Sequence, residues 1–356
     1  MSSNVYFIRA SREDGDERLS EKALKVISRL EFVEKIEPDS FVALKIHFGE
    51  KGNNGYIKPD WLRGIISRIK SRTSRLFFTD TNTLYVGRRS NSVDHLNLAE
   101  EHGFSLENTG LPIIIADGLI GRNDDEVEIN LSRVKSAKIA SLFLDSDFLL
   151  CLSHLTGHVL TGLGGAMKNL GMGCASRAGK LEQHSVVHPW VNPKICTNCG
   201  ICLEYCPEEA IFQREGSAVI DEQKCIGCGE CLVVCKPGAV KMKWDEDYVR
   251  VQEKMAEYAY ALHTALRGNI AYVNFLLKVT KDCDCMGKDE PPIVKDIGIL
   301  ASSDAVAVDR ASVDLILETS GKDVLRKGYS IDWSVQLRHG EKIGLGTSGY
   351  RLVELK

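Results

Sequence analysis

The chain has 356 residues, 44% of them hydrophobic, and a formal net charge of −4. That length allows two or three domains, or one large domain carrying an insertion. The charge gives no whole-molecule attraction to nucleic acid or a membrane surface, and no apolar stretch has the length to cross a bilayer, so neither is expected as a partner.

Short apolar runs alternate with helical stretches over the first 180 residues, the pattern of a parallel α/β sheet. Val5–Ile8 reads as a strand, Leu19–Val33 as a helix, and Phe41–Phe48 as the next strand. Pro59–Lys70 reads as a helix with its proline in the first turn. The basic residues between Arg63 and Arg75 alternate with Leu62, Ile65, Ile66 and Ile69 at helical spacing, so they form a solvated face and not a nucleic-acid patch. Leu76–Asp80 and Leu111–Ala116 continue as strands around a helix near Val93–His102 that Gly103 stops. Leu149–Ser153 is a buried strand, and Gly162–Leu170 is expected to open a helix. Beyond residue 244, Tyr248, Val251, Met255, Tyr258, Leu262 and Ala265 mark an amphipathic helix. Ile270–Val279 and Ile297–Leu300 read as strands. Asp304 caps a helix that ends before Gly321, and Tyr350–Leu355 is the last strand.

The most specific signal is a cysteine pattern written twice. Cys196, Cys199, Cys202 and Cys206 recur 29 positions later as Cys225, Cys228, Cys231 and Cys235. Three thiols at every third residue, with a fourth four residues on, is the bacterial spacing for cubane ligation, and the fourth thiol of each run serves the other cluster. One [4Fe–4S] cluster is therefore assigned to Cys196, Cys199, Cys202 and Cys235, and a second to Cys225, Cys228, Cys231 and Cys206. Zinc sites draw paired knuckles from separate loops, which this spacing does not match. A disulfide framework needs an oxidising compartment, and Val5–Ile8 is far too short for the apolar core of a signal peptide; a reducing cytoplasm is expected. Residues 190 to 243 resemble the bacterial two-cluster ferredoxin domain, with all eight ligand positions matched. The expected architecture is α/β, a mostly parallel sheet with flanking helices built from residues 1–189 and 244–356, interrupted by a small α+β two-cluster ferredoxin-like module at 190–243. Separate N- and C-terminal domains are the alternative.

A second site is expected at the carboxyl ends of the strands, where open α/β sheets bind ligands. His154, His158 and Lys168 lie in a glycine-rich stretch after the buried strand, and a helix N-terminus there would favour an anion. The stretch is neither a Walker A loop nor a dinucleotide fingerprint. His47 and Asp80 end two other strands. Each of these residues could equally be a hydrogen-bonded structural group. The spacing of His154 and His158 suits two metal ligands if the segment is helical, but Gly157 argues for a loop, where they need not converge. Cys283 and Cys285, outside the cubane spacing, are a redox-active pair, a soft-metal site with a histidine such as His154 or His184, or two inert thiols. His184 and His188 stand at the entrance to the cysteine-rich region, and Cys151 and Cys174 have no assigned role.

Lys168-Asn169-Leu170 after His154 and the Thr161-Gly162 loop, Val279 to Cys285, Asp296 to Ser302, and Ser303 to Asp309 together resemble the iron–sulfur-centre proteins grouped as domain of unknown function 362. The resemblance implies cluster binding and a shared α/β domain, and it assigns no catalytic residues. The expected function is electron transfer through two [4Fe–4S] clusters between a redox partner protein and the α/β domain. In the enzyme version the rim binds a small anionic ligand or one further metal ion, with Lys168 and His154 as catalytic candidates. A third version handles metal or sulfur through Cys283 and Cys285.

Overall fold

A computed structural model of the chain describes residues 2–85, 87–184, 189–225, 229–241 and 247–356. Eight strands make one sheet: β1 (Ser3–Arg9), β2 (Val42–Ile46), β3 (Leu76–Asp80), β4 (Ile113–Ile115), β5 (Phe148–His154), β6 (Ile270–Leu276), β7 (Gly298–Ser302) and β8 (Tyr350–Leu355). Their spatial order is β8-β1-β7-β6-β5-β2-β3-β4. Only β7 runs against its neighbours β1 and β6; every other adjacent pair is parallel. This is the mostly parallel α/β sheet expected from the alternating strand and helix patterns. Strands from both sides of the cysteine-rich region interleave in it, since β5 pairs with β6 across more than a hundred residues.

The central strands are buried on both faces, which is why they read as continuous apolar runs. In β5 Leu149 and Cys151 join one core while Leu150 and Leu152 join the other. Helices α1 (Asp16–Ile27) and α2 (Arg63–Lys70) cover the second of these faces. Helices α3 (Ala166–Gly171), α4 (Tyr248–Ala265) and α5 (Ala305–Ser320) cover the first. Gly171 lets α3 touch α4 directly, because a Cβ there would run into the Met255 carbonyl oxygen. Asp304 caps α5 by accepting the Ala307 N–H at 2.9 Å, and Gly321 closes it with φ +65°.

Several elements depart from the sequence pattern. Gly162–Gly164 does not start a helix; it pairs antiparallel with Thr156–His158, and α3 begins only at Ala166. Gly162 has φ +66°, a conformation suited to glycine that breaks a helix. The hairpin of Asp124–Glu128 with Ser136–Ala140 carries an acidic first strand with no apolar alternation. The helix Arg177–His184 buries Arg177, Lys180 and Gln183, so no apolar stripe announces it.

Within the cysteine-rich region Trp190–Val191 pairs with Val240–Lys241, and Ile211–Arg214 with Ser217–Ile220. Two short helices, Ile201–Glu204 and Glu230–Val234, complete the described part. Their small core contains Cys202, Ile211, Ala218, Cys231 and Val240. Among the described residues no helix is long and apolar enough to cross a membrane.

Candidate functional site

A cavity of about 610 Å³ opens at the carboxyl edge of the parallel strands. His47 follows β2, Asp80 ends β3 and His154 ends β5, so three adjacent strands deliver their last side chains to one wall. His158, Lys168, His184, Cys283 and Cys285 line the same space, which brings together all eight residues singled out for a second site. His188 lies outside the described residues. Cys151 and Cys174 are buried in the sheet-side core; burial pushes the Cys151 thiol up to about 12.

The wall is a set of charge pairs with a positive remainder. Lys45 Nζ lies 2.9 Å from Asp80 and bonds Asn169 Oδ1 at 2.7 Å. Burial opposes ionisation of Asp80, but Lys45 above all, with His95, His47 and Arg89, holds its carboxyl well below the usual range. Arg89 is almost wholly buried, bonded to Glu50 at 3.1 Å and to the Tyr85 hydroxyl at 2.8 Å. His154 donates from Nδ1 to Asp284 at 2.9 Å and from Nε2 to the Leu277 carbonyl at 2.8 Å. Burial works against its charge, yet Asp284 raises its pKa and the ring is an imidazolium. Three carboxylates, Asp80, Glu50 and Asp284, thus neutralise Lys45, Arg89 and His154.

Lys168 and Lys180 are left over. Lys180 bonds only neutral oxygens, including the Thr81 hydroxyl at 2.6 Å. Lys168 makes no hydrogen bond or ion pair among the described residues, and its stem lies against Gly164. Burial brings both ammonium groups down to about 8, with Lys45 the next influence on Lys168 and the Asp117 carboxylate a counterweight at Lys180. His47 accepts the Gly49 N–H on Nδ1 at 3.0 Å, so Nε2 carries the proton; that N–H is buried with no acceptor among the described residues. Burial first, and then Arg89, keeps His47 neutral.

Two expectations change. The N-terminus of α3 does not await an anion, because the Asp309 carboxylate already accepts Ala166 N–H at 2.8 Å and Met167 N–H at 2.9 Å. His154, a catalytic and metal-ligand candidate, has both ring nitrogens engaged, Nδ1 with Asp284 and Nε2 with the Leu277 carbonyl. The histidine beside Cys283 and Cys285 is instead His158, with a ring nitrogen and the two sulfurs within 4.8 Å of one another, near enough to share a metal ion. Gly157 makes this possible: its N–H bonds the Thr280 carbonyl at 2.9 Å, and a Cβ there would strike the Lys281 carbonyl oxygen. Cys283 and Cys285 are joined as a disulfide. Sequence reasoning missed Lys45, Glu50, Tyr85, Arg89, Asn169, Lys180 and Asp284. Lys45 stood in an apolar run and Arg89 in a polar loop, and only the fold folds them inward.

In the cysteine-rich region the thiols fall into two groups. Burial raises the Cys202 pKa, and the neighbouring thiols that add to the rise are Cys235, then Cys196 and Cys199. Cys206, Cys225 and Cys231 instead share a small cavity with Pro207 and Gly229; Cys228 lies outside the described residues. The 29-residue repeat persists in the hydrogen bonds: Ala210 N–H reaches Cys206 Sγ at 3.2 Å, and Ala239 N–H reaches Cys235 Sγ at 3.1 Å. Such N–H donors stabilise negative charge on sulfur. Thiolates around a single zinc stand about 3.8 Å apart for tetrahedral bonds of roughly 2.3 Å. Among the described residues, no three of Cys196, Cys199, Cys202 and Cys235 lie within 4.8 Å of one another.

Leu84 ties the two regions together. It lines the large cavity, packs with Leu181 and Leu232, and lies 2.8 Å from where a Cβ on Gly229 would stand.

Two solved structures resemble the chain at 10% identity and a TM-score of 0.43. They are the lactate racemase apoprotein from Thermoanaerobacterium thermosaccharolyticum, with 87% of this chain and 58% of that one covered, and a Thermotoga maritima protein, with 86% and 59% covered. The chain thus spans under two thirds of either. No curated protein matches it. The family of proteins described as domain of unknown function (DUF362) matches residues 42–314, more than three quarters of the sequence, and the chain belongs to that family.

Proposed function

We propose that this protein is an iron–sulfur oxidoreductase that reduces or oxidises a small anionic substrate in the cavity. The observation that carries the reading is the position of Leu84, which lines a cavity with surplus positive charge and also lies beside Gly229, a residue of the small cavity lined by Cys206, Cys225 and Cys231. In the cluster assignment Cys196, Cys199, Cys202 and Cys235 hold one [4Fe–4S] cluster, and Cys206, Cys225, Cys228 and Cys231 hold the other. When bound, such clusters supply single electrons at potentials set by burial, charge and N–H···S bonds. A redox partner protein docks on the cysteine-rich module to complete the circuit.

The chain's own groups then have separable tasks. Lys168 and Lys180 attract the anion, and Lys168, with no competing partner, makes the direct contact. His47 Nε2–H donates to an uncharged or anionic oxygen. The Lys45–Asp80, Arg89–Glu50 and His154–Asp284 pairs fix the wall without adding net charge. With a pKa of about 8, Lys168 can also give a proton to the substrate at neutral pH. Calorimetric titration of the anaerobically reconstituted chain with a panel of small carboxylates, phosphate and sulfate tests this reading. At least one anion should bind, and Lys168→Met should abolish or greatly weaken the heat with cluster absorbance unchanged. Equal binding by both proteins would defeat the substrate assignment.

A further inference from the structure

We propose that Cys283 and Cys285 form a thiol–disulfide redox pair facing the cavity, with a dithiol as the class of reductant and His158 as the hydrogen-bond donor that steadies the released thiolate. The inference rests on the cavity and is independent of the cluster assignment.

The loop that carries the pair is held in place. Met286 N–H bonds the Cys283 carbonyl at 3.0 Å, and Asn53 Nδ2 donates to the Met286 and Lys288 carbonyls at 3.2 and 3.3 Å. Glu50 N–H reaches the Asp284 carbonyl at 3.0 Å, and the Asp284 side chain is gripped by His154. Lys288 closes the base by pairing with Asp282 at 2.7 Å and Glu290 at 2.6 Å. Both sulfurs border the cavity, Cys283 with 8% exposure and Cys285 half-buried.

His158 decides between metal and sulfur chemistry. Its Nδ1 accepts two backbone N–H groups, from Thr161 at 3.2 Å and from Leu160 at 3.3 Å. The Thr161 hydroxyl, 2.9 Å from Nδ1 and 2.8 Å from the Leu163 carbonyl, donates to Nδ1 alongside the backbone groups. The ring proton therefore sits on Nε2. In this tautomer the Nε2 lone pair that a metal would use carries a proton, and a ring nitrogen lies within 4.8 Å of both sulfurs. A donor beside two sulfurs suits a thiolate.

The exchange balances with a dithiol reductant. One reductant thiolate attacks the more accessible Cys285 sulfur; the S–S bond breaks and its electron pair leaves on Cys283, facing His158. The second reductant thiolate attacks its partner sulfur in the mixed disulfide and expels the Cys285 thiolate. The reductant ends as a disulfide, the two cysteines gain two electrons, and they take up the two protons that the reductant gave.

The test equilibrates the full reconstituted chain with oxidised and reduced dithiothreitol at graded ratios, without oxygen. Alkylation with iodoacetamide, peptide mapping and an iron assay follow at each ratio. Cys283 and Cys285 should become labelled together in one two-electron transition at constant iron content, and Cys283→Ser should leave Cys285 labelled throughout. In the reduced protein His158→Phe should slow labelling at pH 7 by about tenfold, with His158→Gln, which retains a donor, restoring most of the rate. Labelling of both thiols at every ratio overturns the pair, as does a stoichiometric metal that protects them until chelated. Loss of iron without a change in thiol behaviour would count against the cluster reading alone.

Discussion

At the scale of single residues, Lys168 is the group on which the proposed anion recognition turns. Its ammonium has surplus positive charge around it and no carboxylate partner among the described residues, so a bound anion would supply one. A hydrogen bond to a charged group contributes about 1.5–3 kcal/mol. Lys168→Met should accordingly weaken anion binding by roughly 10- to 100-fold, measured by calorimetry, with the iron content intact. The sign with pH follows from burial lowering both Lys168 and Lys180 to about 8. Below pH 8 both are charged and affinity is full; as pH rises through 8 to 9 affinity should fall, unlike that of an exposed lysine site, which would persist to about pH 10. A flat affinity between pH 7 and 9 would remove the lysines from the site. His47, Asp80, His154 and Lys168 were legible because strand ends and glycine-rich loops mark the carboxyl edge of a sheet. Arg89, Glu50 and Asp284 were not, since their burial arises from long-range pairing across more than thirty residues.

At the scale of elements, Asp309 does for α3 what the sequence pattern assigned to a ligand. Its carboxylate accepts the first two N–H groups of that helix and is reached by Asn274 Nδ2 at 2.7 Å. Asp309→Ala leaves two buried donors without an acceptor and should cost about 2–4 kcal/mol in chemical denaturation. Burial raises the Asp309 pKa to about 6. The folded state therefore binds the proton more tightly than the unfolded chain does. The proton-linked part of its contribution is present below about pH 4 and is lost as pH rises through 6, while the hydrogen bonds to α3 remain; the step is absent from the alanine variant. Gly157→Ala places a methyl against the Lys281 carbonyl and should destabilise by about 1–3 kcal/mol, moving His158 away from the Cys283–Cys285 loop. Periodicity located α2, α4 and α5 because each has one apolar face. It misread Gly162–Gly164, where positive φ rather than helix geometry governs, and it missed Arg177–His184, whose buried face is polar.

At the scale of the whole molecule, the sheet takes strands from both flanks of the cysteine-rich region, and that region reaches the cavity through Leu84. The alternation of apolar runs made the sheet readable, but its order was not, because the placement of β7 between β1 and β6 depends on pairings far apart in the chain. The thiol repeat was the most legible pattern, and it persists in the N–H···S bonds to Cys206 and Cys235. If the exchanged fourth ligand holds, Cys235→Ser should disturb the cluster assigned to Cys196, Cys199 and Cys202, and Cys206→Ser should disturb the other; each should lower iron from about eight to about four per chain.

The most direct measurement is therefore iron and acid-labile sulfide per chain in anaerobically reconstituted protein. Two cubanes per chain should give about eight of each. Zinc in their place, or eight cysteines still open to alkylation in iron-replete protein, would contradict it.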